Sequence, residues 1–239
     1  MIARIAWWAA LLAIGVVTVG LQLDRQATRT PLIAAGVPEP VRSSAQFPLA
    51  ALALDSGDAT RALDEAERLV RRRPMPAEHL RVLAQAQFAA GDVDASALTI
   101  QYAAQRGWRE PLAQETMLQL ALAAGDGPEA ARRYMALLLN SDSDEDKLRE
   151  LGSALLAEPG SPAHQTIVEI AAGGERWHNT FLRRGAMVMP PDAFSEIVNA
   201  AAAKGANFDC KLLEQIELRV TRRDASAGAR IGAVIADHC

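Results

Sequence analysis

The chain has 239 residues, 50% hydrophobic, 23% charged and 5% aromatic, with a net charge of −4. This is enough for a sizeable core and too apolar for a disordered chain. The small negative charge offers no basic stripe for nucleic acid, and abundant alanine and leucine with few aromatics suit close-packed helices better than a β-sandwich.

Residues 1–4 are a short flank carrying Arg4. Ile5 to Leu23 then reads IAWWAALLAIGVVTVGLQL, uncharged, with only Thr18 and Gln22 as polar interruptions. At about 1.5 Å per residue the run reaches nearly across a ~30 Å hydrocarbon core. Trp7 and Trp8 stand where an aromatic belt would hold one end at the interface. Residues 5–23 therefore read as a transmembrane signal-anchor. The alternative is a cleaved signal peptide, for which Val19-Gly20 is a poor cleavage site. The short flank favours an inner-membrane, single-pass protein with its domain facing the periplasm. Residues 24–44, with Pro31, Pro38 and Pro40, read as a linker.

Gly-Asp then recurs at Gly57-Asp58, Gly91-Asp92 and Gly125-Asp126, 34 residues apart each time. Each pair follows a run of Ala, Leu and Gln and precedes another helical stretch. Glycine supplies a left-handed helix end and aspartate caps the next helix, so the pattern predicts helix pairs joined by tight turns. Small residues follow the glycines by five positions, at Ala62, Ser96 and Ala130, and Tyr134 lies nine after Gly125. One period on, Leu151-Gly152 appears and Pro159-Gly160 replaces Gly-Asp.

These residues resemble the tetratricopeptide repeat (TPR) family, whose period is 34. Ile100 substitutes for the family's aromatic, while Ala66 and Leu118 depart from its pattern. The resemblance implies an all-α, TPR-like helix-pair solenoid over residues 45–178, with degenerate repeats or a helical cap over 179–239. The other reading of the spacing is an ordinary helical bundle. Beyond residue 178 the period fades, but helices are predicted near 176–185, 191–204, 210–220 and 225–237.

The first helix of each pair lines the concave face of such a solenoid. Projecting one position through the repeats gives Phe47, Arg81, Glu115 and Arg149; one turn on come Ala51, Gln85, Gln119 and Ser153; another turn gives Leu54, Phe88, Leu122 and Leu156. A charged ladder, an amide row and an apolar floor suit an extended peptide or helix. The candidate partner groove is thus Phe47, Arg81, Gln85, Phe88, Glu115, Gln119, Leu122 and Arg149, with a self-satisfied row of Arg81, Glu115 and Arg149 as the plainer reading. The acidic run from Asp142 to Asp146 lacks the pattern of an EF-hand and reads as a helix cap. Arg71, Arg72 and Arg73 before Pro74 read as a helix end, and the cluster of Gly173, Gly174, Glu175, Trp177 and His178 as a packed break, with a partner-binding turn as the other reading.

The four histidines show no ligand spacing, and the sequence contains no GxSxG, Walker A or GxGxxG motif. We expect no catalytic residue, metal or small-molecule cofactor. Cys210 and Cys239 are a disulfide candidate, with two free thiols as the alternative. The resemblance implies a scaffold or assembly factor of the bacterial cell envelope, in an exopolysaccharide or secretion complex among other settings. The rival readings are an envelope enzyme on a helical solenoid and a cytoplasm-facing TPR regulator.

Overall fold

The computed structural model describes residues 2–239. It is all-α, with no strand among the described residues, and it packs as two units, 2–107 and 108–239. The boundary falls inside the stretch that the period presents as one array.

The first unit opens with α1, Ile2–Ala27. No residue of its most apolar window is buried, so its side chains find no protein partner there. Thr18 returns its hydroxyl to the Ile14 carbonyl at 2.8 Å, which satisfies the one hydroxyl in the run. Residues 24–44, expected as a linker, are ordered. They form two short 3₁₀ turns, Pro31–Gly36 and Glu39–Val41, that pack back on α1. Ala27, Ala34, Val37, Ala45 and Leu49 make a small core there. Asp24 explains the order: its buried carboxylate accepts from the backbone N–H groups of Ser43, Ser44 and Ala45 at 2.7–2.9 Å. Those donors lead into α2, Gln46–Asp55, whose own N-cap, Ala45, has no side-chain acceptor to offer.

Then come α3, Ala59–Arg72, α4, Ala77–Ala89, and α5, Val93–Arg106, each packed on its predecessor. The core between α2, α3 and α4 is built mainly of small residues, Ala50, Ala53, Ala62, Ala66 and Ala86, with Leu69 and Val82. Alanine lets the helix axes approach closely. Ser96, in the place of a small residue on α5, donates to the Ala84 carbonyl of α4 at 2.8 Å.

The second unit holds α6, Pro111–Ala123, α7, Gly127–Leu138, α8, Glu145–Leu155, and α9, Pro162–Gly173. A 3₁₀ turn, Glu175–Trp177, leads to α10, His178–Val188, α11, Pro191–Ala203, α12, Cys210–Arg223, and α13, Ala225–His238. Helices α7, α9, α11 and α13 pack successively in one layer, and α8, α10 and α12 in another. The pairing therefore continues to α13, past residue 178 where the sequence period fades. Tyr134, Phe181, Phe194, Ile167 and Ile197 fill the space between. Cys210 and Cys239 are joined in a disulfide with Cα atoms 5.8 Å apart, tying the start of α12 to the end of α13.

The repeated turns share one geometry. Gly57, Gly91 and Gly125 have φ of +75°, +86° and +72°, a region that residues with a Cβ seldom enter. After Gly91, the Asp92 N–H reaches back to the Gln87 carbonyl at 2.9 Å; Asp126 does the same to Ala121 at 2.9 Å. Asp58, Asp92 and Asp126 then accept from the N–H three residues on, at 3.0–3.1 Å. Gly160, φ +70°, keeps the turn, and Ser161 takes over the cap.

Candidate functional site

In the first unit, α2 and α4 carry Phe47, Arg81, Gln85 and Phe88. Phe47 is half-buried, its ring centroid 5.6 Å from that of His79, one turn into α4. His79 is held by the Arg73 carbonyl at 2.9 Å from Nδ1. Phe47, Pro48, Ala51 and Asp55 of α2, Arg73 at the end of α3, and Glu78 and His79 of α4 line a cleft of about 470 Å³ that mixes apolar walls with charged groups. Further along α4, Arg81 donates to the Gln85 Oε1 at 2.7 Å. This i, i+4 bond couples the guanidinium to the Gln85 amide along one face of the helix. Phe88 ends the row, 66% exposed. On α5, Leu98 and Tyr102 stand four residues apart on one face, and both are exposed.

In the second unit, Gln119 donates to Glu115 at 3.3 Å, and Glu115 pairs with Lys147 Nζ at 3.4 Å. Glu115 and Lys147 lie beside a cleft of about 220 Å³ whose floor is Leu112, Leu148 and Leu151. Arg149 does not join Glu115. It is bound instead to Glu145 and Asp146 of its own helix. Arg149 lies two residues beyond Lys147, about 200° further round the helix, and so faces away. Ser153 turns its hydroxyl to the Arg149 carbonyl at 2.8 Å.

The apolar floor is also only partly a floor. Leu156 is buried, while Leu54 and Leu122 are half-buried against their cores; Phe88 alone is presented. Asp144 caps α8 through the Lys147 N–H at 2.9 Å, which accounts for the acidic run. His178 is buried between the Ala171 and Asn207 carbonyls, at 2.8 and 3.2 Å, and packs on Phe208, so the Trp177-His178 break is a packed one. Among the described residues, no three His, Cys, Asp or Glu are grouped to hold a metal ion.

Sequence reasoning missed His79 and Lys147. The signal was present: Phe47 to His79 and Glu115 to Lys147 are both separated by 32 residues, two fewer than the period. The sequence matches no protein-family model and no curated protein.

Proposed function

We propose that the chain is a membrane-anchored, TPR-like scaffold or assembly factor of the bacterial cell envelope. Its helices face the periplasm and hold a protein or peptide partner, in an exopolysaccharide or secretion complex as the working setting. The role is binding, not catalysis. The observation that carries this reading is the surface of α4: Arg81 and Gln85 preorganised by their hydrogen bond, followed by a projecting Phe88. An arginine, an amide and an exposed aromatic in one line along a rigid helix are the ingredients of a peptide-binding hot spot. The recurring glycine turns support the repeat assignment, and the unburied apolar α1 supports the anchor. The disulfide supports an oxidising compartment, hence the periplasmic side.

Site-specific photo-crosslinking in cells tests the reading. A photoreactive residue at Phe88 or Gln119 should capture the same envelope protein, and one at exposed Asp64 should not. In parallel, Cys210 and Cys239 should react with a membrane-impermeant maleimide only after reduction. Adducts that are equal at all three sites would sink the scaffold reading, and thiols reactive without reduction only after lysis would reverse the orientation.

A further inference from the structure

The first unit places an apolar turn beside the membrane helix rather than beyond it. Residues 31–38 read PLIAAGVP, eight residues without a charge. Val41 packs on α1 so tightly that a Cβ at Gly20 would meet its Cγ2 at 3.0 Å. Gly36 and Pro38 join Leu12, Val16, Val19 and Leu23 around a cleft of about 480 Å³ that is almost wholly apolar. Val16 lies seven residues inside Leu23, about 10 Å along the helix axis, so the turn runs alongside the uncharged part of α1. Leu32 at its outer edge is 85% exposed.

The backbone of this segment is prepared for a dry setting. Pro31, Pro38 and Pro40 have no N–H to satisfy. Ile33 donates to Thr30, Val37 to Ala34 and Val41 to Pro38, at 3.1–3.2 Å. The Arg42 guanidinium covers the Val37 carbonyl at 2.9 Å. Irregular backbone is tolerated near hydrocarbon only when its polar groups are met within the protein. The charged residues of the region, Asp24, Arg25, Arg29, Glu39 and Arg42, flank the turn and are absent from it.

We infer that residues 31–38 form an interfacial collar immersed in one leaflet of the bilayer, with lipid acyl chains filling the cleft against α1. The occupant is lipid because the cleft is continuous with the unburied apolar face of α1 and carries no polar group that would read a protein. The collar would fix the height and tilt of the first unit over the membrane, since Asp24 ties its far end to the start of α2. The inference rests on α1 spanning a bilayer.

The full chain, with its native disulfide, would be labelled with an environment-sensitive fluorophore at Leu32→Cys, Val16→Cys or Asp64→Cys and reconstituted in phosphatidylcholine vesicles. Leu32 and Asp64 are not buried, so these changes leave packing intact. The label at 32 should lose about half its emission to lipid carrying a nitroxide near the glycerol end of its chain, and little to aqueous iodide. The label at 16 should respond to a nitroxide near the chain terminus, and that at 64 to iodide only. Iodide quenching at 32 with lipid quenching at 16 overturns the collar while the span stands. Iodide quenching at both overturns the span and the collar with it. Protection at 32 from both quenchers means that protein, a second copy included, covers the turn, and the lipid proposal fails.

Discussion

Gly152 and Tyr134 show how a single atom can fix a residue's identity. Tyr134 is fully buried, and its hydroxyl donates to the Leu148 carbonyl at 3.3 Å. A Cβ at Gly152 would lie 2.6 Å from that oxygen, with the rest of the ring locked in the core. Gly152→Ala therefore forces α7 and α8 apart and should cost about 1–3 kcal/mol in urea unfolding. Tyr134→Phe alone should cost about 1 kcal/mol. In the double variant the oxygen is gone, so the two losses should add to less than their sum. Strict additivity would place the strain elsewhere. Glu129 supplies a second case. Burial by itself would raise its pKa, but hydrogen bonds from Arg132 and Arg133 outweigh this and hold it below the ordinary 4.5. The unfolded chain then protonates Glu129 first as pH falls. Its contribution is complete above the unfolded pKa and is lost as pH drops through the lower folded one. Glu129→Gln should cost about 1 kcal/mol at pH 7, and the gap from wild type should close on acidification. A gap independent of pH would assign the loss to packing.

At the scale of elements, the glycine-aspartate turns were legible because their chemistry is local. A positive φ at Gly91 and a cap at Asp92 need only neighbours in sequence. Gly91→Ala and Asp92→Ala should each lower stability by about 1 kcal/mol, with Gly91→Asn milder because asparagine tolerates the left-handed region. Equal losses for Ala and Asn in thermal unfolding would mean that the turn's φ is not what the glycine secures. The contacts of the expected groove residues were less legible, for a geometric reason. Positions one period apart occupy equivalent places on successive helices of a repeat, so Phe47 and Arg81, or Glu115 and Arg149, correspond without needing to touch. Contact needs the facing side of the next helix, and this is where His79 and Lys147 stand. The order of residues 24–44 was hidden differently. Three prolines and a polar margin look like a linker, and only the Asp24 carboxylate, some twenty residues from the N–H groups it binds, ties them back as folded turns. The pairing of α10 to α13 outlasts the sequence period because any well-shaped apolar side chain fills a layer, as Phe194 does against Gly185, whereas a period demands the same residue each time.

For the whole molecule, the disulfide is the covalent feature that bears on stability. Cys210 and Cys239 are 29 residues apart, and closing a loop of that length restricts the unfolded chain by roughly 3–4 kcal/mol on the chain-entropy account. The bond spans α12 and α13, whose mutual packing is completed by Leu213, Ile216, Ile231 and Val234. Its loss removes a constraint from helices at one edge of the second unit's layers, where no further helix among the described residues covers them. Reduction, or Cys210→Ser with Cys239→Ser, should therefore lower the stability of residues 108–239 by about that amount. Hydrogen exchange should quicken first in α12 and α13, then in α11, to which α13 packs. Helices α2 to α5 belong to the other unit and should keep their protection. Faster exchange throughout residues 2–107 at the same reductant concentration would instead mean that the two units open as one. No change in α12 and α13 would mean that side-chain packing already holds them and that the bond adds little to their stability.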